Sequence, residues 1–260
     1  MSKLVLKENK LREIIKESVR SILNEAMTQG FSFQKLEELT DPKDKINYCT
    51  DYLGDIIGQG SSRVVFEIDD AQVLKLAYGS MYEAGIAQNK AEWNVNRNAN
   101  SPLLVRTLYH AKDWSWVVCE RVVQSSKIDF FNILGMPYTS YSNYQQAEKE
   151  FNGENPDLLG YDEYRTKPLF DKSGDISFVH IKNVMNKLLQ GVDLSKDFPT
   201  EYKIITTHPW FKELYRLCND FSLDIGDISV HNMGITLRNG QPSIVILDSG
   251  LTEEVLNNYY

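Results

Sequence analysis

The chain has 260 residues, 42% of them hydrophobic and 25% charged, with a formal net charge of −8 and a sequence pI of about 5.1. That composition suits one bilobed globular domain or two small ones, and its acidic balance argues against a nucleic-acid binder, which needs a basic face. Three scattered cysteines, four histidines without metal spacing, no apolar run of roughly 18 residues and a charged N-terminus argue against a disulfide frame, a zinc site, a membrane span and a secretory signal, so a cytoplasmic protein is expected.

Residues 7–26 read as one amphipathic helix, with Leu11, Ile15, Val19, Ile22 and Ala26 on a single stripe. Such a helix docks on its own domain or on a partner. Its end, Ile22-Leu23-Asn24-Glu25 followed by Ala26, resembles the N-terminal capsid-targeting peptides of tailed phages, which a prohead protease cuts after a Leu/Ile-x-Glu sequence. That resemblance implies cleavage after Glu25, contact with a phage capsid, packaging in the virion and delivery into a host cell.

Residues 31–53 suggest one or two short helices, with Asp41-Pro42 as a start signal. Strands follow at Ile56-Ile57, Arg63–Ile68 and Gln72–Ala77, short and alternating, joined by Gly-rich and Asp-Asp turns. A helix is expected over Met81–Asn98, then strands near Leu103–Lys112 and Ser115–Val123 with the turn at Asp113. Residues 132–178 are the least regular part, with a helix near Tyr144–Phe151. Helices resume at about 178–191 and 208–221, and the chain finishes with a hairpin of Met233–Leu237 and Ser243–Leu247.

Four signals carry chemistry. In Gly58-Gln59-Gly60 two glycines at a strand-to-strand turn let the backbone approach a polyphosphate without a Cβ in the way, and Val65 would cap an adenine; the plain alternative is a hairpin turn. It is neither a Walker A loop nor a dinucleotide fingerprint, since no Gly-Lys-Ser/Thr and no helix follows. Lys75 sits inside the apolar strand Val73-Leu74-Lys75-Leu76, either on a solvated face or turned inward to reach α/β-phosphates. In the second case it needs a carboxylate, and Glu92 in the next helix suits better than Glu83 because it lies deeper in that helix. In Asp227-Ile228-Ser229-Val230-His231-Asn232, an Asp can orient or deprotonate an acceptor hydroxyl and an Asn can ligate Mg²⁺. Finally, the strand Ile244–Leu247 delivers Asp248 beside Gly250, a placement that suits a metal bridging β- and γ-phosphates. Each Asp alone also reads as a turn or cap residue.

The order of glycine loop, strand Lys, helix Glu, Asp-x4-Asn and strand-Asp-x-Gly resembles the protein-kinase-like superfamily over residues 55–251. Asp-Ile-Ser-x-x-Asn is most similar to the atypical RIO kinases, and Gly226-Asp227 to aminoglycoside phosphotransferases. The resemblance implies an α+β bilobed fold with a five-stranded antiparallel N-lobe sheet carrying one helix, and a reduced, mainly helical C-lobe with a β-hairpin. It places the helical lead-in and N-lobe at 31–123 and the C-lobe at 124–260, with an irregular insert at about 133–178, after an N-terminal helix and linker at 1–30. It implies ATP and Mg²⁺ (or Mn²⁺) as cofactors. Asp227 and Lys75 would be catalytic. Gly58, Gly60, Val65, Lys75, Glu92, and the hinge backbone of Glu120 and Val122 would hold nucleotide, and Asn232 and Asp248 the metal.

Departures from the family pattern bear on the acceptor. Arg63 stands at the third glycine, Ile225-Gly226-Asp227 replaces His-Arg-Asp, Ser229 stands at the usual catalytic-loop Lys, and Asp248-Ser249-Gly250 lacks the Phe. With ten residues after Gly250, no activation segment or helical substrate lobe of the usual kind is expected. The leading expectation is an atypical Ser/Thr protein kinase, acting on an unidentified protein or small molecule. The alternatives are a catalytically weak ATP-binding pseudokinase or interaction module carried in a phage virion, and transfer of AMP.

Overall fold

The computed structural model describes residues 30–135 and 178–260. The amphipathic helix of 7–26, its Glu25 motif and the helix expected near 144–151 lie outside the described residues. Among these the chain is α+β, with eight α-helices, a five-stranded antiparallel sheet and a three-stranded antiparallel sheet. It divides into two compact units. One comprises the chain up to Asn89 together with Thr107–Arg121, and the other comprises Lys90–Arg106 together with Val122–Tyr260.

The first unit opens with α1 (Phe33–Glu38) and α2 (Pro42–Leu53). The Asp-Pro start signal works as its chemistry requires: Asp41 Oδ1 accepts from Lys43 N at 2.7 Å, and Pro42 enters the first turn, where no amide donor is needed. Strands β1 (Ile56–Gln59), β2 (Arg63–Glu67), β3 (Gln72–Ala77), β4 (Thr107–His110) and β5 (Trp116–Glu120) form the sheet in the order β1-β2-β3-β5-β4. Helix α3 (Tyr82–Ala99) is inserted between β3 and β4. Successive side chains of a strand point to opposite faces. Phe66, Leu74, Leu76, Trp116 and Val118 accordingly join Phe31, Leu36, Tyr48 and Cys49 of the lead-in in one core. Val65, Lys75 and Val117 therefore fall on the other face.

A buried cation ties the lead-in to the β4–β5 turn. Lys45 is 1% exposed, and its Nζ reaches Asp113 Oδ2 at 3.1 Å and Ser115 Oγ at 2.6 Å. Burial pushes the Asp113 carboxyl up, but hydrogen bonds from Ser115 and the Lys45 ammonium outweigh it and hold the group below its ordinary value.

The second unit contains α4 (Lys127–Leu134), α5 (Phe178–Leu189), α6 (Pro199–Thr207), α7 (Pro209–Phe221) and α8 (Glu253–Tyr259). Its strands are β6 (Val123–Gln124), β7 (Met233–Arg238) and β8 (Gln241–Ile246). Phe130, Phe178, Ile181, Phe211, Leu214 and Met233 are among its fully buried side chains. The expected hairpin is present, and Asn239 (φ 54°) and Gly240 (φ 77°) supply the two positive φ values that a two-residue turn between twisted strands requires. The sequence reading lacks β6, α4, α6 and α8. β6 is two residues long and is defined only by pairing with β7, while the helices are short and give little periodicity. Among the described residues no helix is long and apolar enough to cross a membrane.

At Gly85 α3 approaches the sheet too closely for a side chain. A Cβ built there would lie 2.7 Å from Ala77 Cβ and closer still to the Ser62 carbonyl oxygen. Glycine inside a helix ordinarily costs about 1 kcal/mol relative to alanine. Here overpacking should reverse the sign, so Gly85→Ala is expected to destabilise the protein by about 1–3 kcal/mol in denaturant unfolding. A stabilised variant would show that the helix does not press on the sheet at this point.

Candidate nucleotide and metal residues

Sheet register gathers the first unit's share of the candidates. Gly58 pairs with Val65, Val65 with Lys75, and Lys75 with Val117, so the four form one row across β1, β2, β3 and β5. Side chains opposite one another in such a row lie about 5 Å apart at Cβ. Every residue of β3 is buried, and Lys75 is 7% exposed, which excludes the solvated-face alternative. An ammonium taken that far from water requires partners in the protein or in a ligand.

The glycine turn is fastened at its base. Gly60 N donates to Arg63 O at 2.8 Å, closing the turn, and Tyr78 N donates to Ser62 O at 2.9 Å. The Tyr78 hydroxyl accepts from Gln59 Nε2 and donates to Gly60 O at 3.3 Å. Ser62 Oγ donates to Gln88 Oε1 at 3.0 Å, and Arg63 Nη1 to Asn89 Oδ1 at 3.1 Å. Arg63, which stands where a third glycine was expected, is thus a buried strut to α3. Neither Gly58 nor Gly60 has a positive φ. A Cβ on Gly58 would meet Val65 at 3.5 Å and one on Gly60 would meet Arg63 O at 3.8 Å, both ordinary contacts. The fold itself therefore does not demand glycine at either position.

Glu120 ends β5, half-buried, with its Cα opposite Gln72, and Arg121 N donates to Ala71 O at 2.7 Å. The first unit stops at Arg121 and the second starts at Val122, so the residues expected to form a hinge lie at a chain crossing from one unit to the other. Glu92 belongs to the second unit and is fully buried, whereas the alternative Glu83 is exposed.

In the second unit, Asp227 lies in a loop anchored by the buried side chains of Ile225 and Ile228. Asp224 N donates to Leu251 O at 3.0 Å, and Asp224 Oδ1 accepts from Gly226 N at 3.0 Å, fixing the approach to Asp227. Asn232 Nδ2 donates to the Asp227 carbonyl oxygen at 2.8 Å. That bond commits the amide nitrogen and assigns the amide oxygen as the group a metal would take. The Asn232 carbonyl in turn accepts from Leu247 N at 2.9 Å, one residue before Asp248. Asp248 Oδ1 accepts from Gly250 N at 3.0 Å. The chain thus joins Asp227, Asn232 and the Asp248 segment by two hydrogen bonds.

Among the described residues no group of three or more His, Cys, Asp or Glu side chains is gathered as a metal-binding set. Asn232 and Asp248 offer two hard oxygen donors, a set that fits Mg²⁺, which retains several waters and shares phosphate oxygens. Two residues that matter here escape the sequence reading, Tyr78 on the glycine turn and Lys182 of α5. Lys182 Nζ donates to the carbonyl oxygens of Ile225 at 3.2 Å, Gly226 at 3.5 Å and Ile228. Its only sequence signal is a lysine beside the apolar stripe of Phe178, Ile181 and Met185.

No protein-family model matches this sequence, and no curated protein matches it.

Asn232→Asp would set an acceptor-only carboxylate against the Asp227 carbonyl. The loss of one hydrogen bond and the new repulsion should cost about 1–3 kcal/mol, read as a lowered midpoint in denaturant. Unchanged stability would mean that the amide does not hold the loop.

Proposed function

We propose that the chain is a Mg²⁺–ATP-dependent phosphotransferase of protein-kinase-like, bilobed build, an atypical kinase transferring phosphate to a Ser/Thr hydroxyl. The observation that carries this reading is the pair of hydrogen bonds at Asn232, whose Nδ2 donates to Asp227 O and whose carbonyl accepts from Leu247 N. Two short motifs at the two ends of the closing hairpin, each ambiguous alone, are thereby tied to one another, which supports reading them together as an acceptor-orienting Asp and two metal-ligating oxygens. The first unit adds support. Its third strand carries a buried lysine in the same cross-strand row as Gly58 and Val65. The glycines have no internal steric reason, which is the pattern expected where the partner of close approach is a ligand.

In this reading Lys75 neutralises α/β-phosphate charge, with Glu92 as the carboxylate that such a lysine needs. Backbone groups of Glu120 and Val122 hold adenine and Val65 covers it. Asn232 and Asp248 hold Mg²⁺, whose chemistry when bound is to neutralise charge on the β- and γ-phosphates. Asp227 orients the acceptor hydroxyl and takes its proton. The acceptor oxygen forms a bond to the γ-phosphorus, the bond from that phosphorus to the β–γ bridging oxygen breaks, and ADP leaves. The net charge of −8 favours a basic protein as the acceptor to try first.

Incubation with γ-labelled and, separately, α-labelled ATP and Mg²⁺ tests the reading. Label should pass from the γ position only, to the protein itself, to water or to a basic substrate. Asp248→Ala should abolish it, and Asp227→Asn should slow it by about 10²–10⁴-fold, the usual contribution of a positioned general base. Transfer of α-label would replace the kinase reading by AMP transfer, and no transfer of either label would refute enzymatic activity.

The glycine turn offers an independent check. Gly60→Ala should leave stability within about 0.5 kcal/mol of wild type, as for a substitution that meets no close neighbour. ATP affinity measured by calorimetry should nevertheless fall, because in this reading the phosphates approach the backbone where the methyl is added. Equal affinities for wild type and variant would remove the turn from the nucleotide site.

A further inference from the structure

Four consecutive carbonyl groups, those of Ile225, Gly226, Asp227 and Ile228, accept from side-chain donors, and Ile225 O accepts from Ile228 N at 3.3 Å as well. Asn232 Nδ2 takes the Asp227 carbonyl at 2.8 Å. Lys182 Nζ takes the other three. An ammonium has three N–H donors, so this triad of carbonyls saturates it. The lysine is brought to the loop by α5, whose Phe178 and Ile181 are fixed in the core of the second unit. Its Nζ lies 5.9 Å from the centre of the Phe178 ring, which flanks it on the helix side. The charged groups that act on it are Asp224 and Asp227 of the loop, with the Cys218 thiol of α7 as a weaker neighbour. Burial pushes the Lys182 ammonium below its ordinary value, and attraction from Asp224 and Asp227 opposes that.

We propose that Lys182 is the positioning residue of the Asp227 loop: its ammonium, seated on the carbonyls before and after Asp227, holds that carboxylate in the orientation used for transfer. The role in catalysis rests on the kinase reading given above, and the geometric role does not. The arrangement accounts for a departure in the sequence. Ser229 leaves the loop without a cation of its own, and α5 supplies one from outside it. It also limits what Lys182 does. With three donors engaged by backbone, it acts on the Asp227 and Asp224 carboxylates as a through-space charge and on the loop as a clamp. It is not a group that meets substrate.

Removing the ammonium takes the donor from the Gly226 and Ile228 carbonyls and leaves Ile225 O to the Ile228 amide at 3.3 Å, while the apolar packing of α5 is retained. Lys182→Met does this with little change of volume, and Lys182→Arg retains charge and donors. In the full chain without ATP, amide hydrogen exchange of Lys182→Met should speed up by about tenfold or more at Ile228 and Asn232, whose own amides bond within the loop, with β2, β3 and β5 unchanged. Lys182→Arg should restore most of that protection. With γ-labelled ATP and Mg²⁺, Lys182→Met should lower kcat by about 10- to 100-fold, the size expected for a carboxylate displaced by about 1 Å, with KM for ATP changed less than about twofold. Lys182→Arg should recover part of the rate.

The two readings fail separately. Wild-type exchange rates in a folded Lys182→Met would overturn the clamp whatever the activity. Loss of loop protection in Lys182→Met, together with a wild type that transfers no phosphate, would retain the clamp and sink the kinase. A rise in KM with kcat unchanged would overturn the positioning role, since it would place Lys182 in ATP binding. If Lys182→Met does not fold, Lys182→Gln, which keeps a donor for one carbonyl, gives the same exchange test: protection equal to wild type overturns the proposal and intermediate protection supports it.

Discussion

Burying β3 along its whole length constrains the rest of the first unit. Six successive residues lose water on both faces of the sheet, so each face needs a cover. The even-numbered side chains Leu74 and Leu76 take theirs from the lead-in segment, through Leu36, Tyr48 and Cys49. The odd-numbered set, with Lys75 at its centre, is directed to the opposite face by the pleat alone. A shift of one residue in register would exchange the two sets and put an ammonium into an aromatic and aliphatic core, at a cost of several kcal/mol. The same alternation lines Val65 and Val117 up beside Lys75. Placement of the lysine is thus a consequence of the apolar pattern, and its chemistry is what that pattern leaves over.

The second unit solves a different problem. Its loop from Ile225 to Ile228 presents a run of carbonyls with no regular secondary structure to receive them, and polar backbone groups in such a place need donors. Two side chains supply them, the Lys182 ammonium and the Asn232 amide. Because Asn232 also links through its carbonyl to Leu247, satisfying the loop and placing Asp248 are one event. A loop residue that looks like a metal ligand in sequence is therefore also a structural bracket.

Much of this organisation was legible beforehand. The three strands of the glycine hairpin region, the inserted helix and the final hairpin follow from alternation, from glycine and Asp-Asp turns and from a periodic run, all local properties of the chain. Elements that exist through partners were not legible. β6 is two residues completing a sheet with β7, and α6 begins at a phenylalanine N-cap with no side-chain cap bond. Lys45 and Asp113 lie 68 residues apart, and nothing in either neighbourhood announces that they meet. Arg63 read as a departure from a glycine pattern, and its burial against Asn89 became visible only when α3 was laid beside β2.

The sequence by itself determined which residue types are present and in what order: a Gly-x-Gly turn, a lysine in an apolar strand, Asp-x4-Asn, and an Asp closing the last strand. It also determined the face of each strand, because the period of two is built into the backbone. Tertiary structure alone decided which charged groups are withdrawn from water, that Lys75 and Glu92 are buried while Glu83 is exposed, and that Lys182 reaches the Asp227 loop. The physical reason is range. Propensity and periodicity act over a few residues, whereas the burial of a charge depends on every segment that comes to cover it.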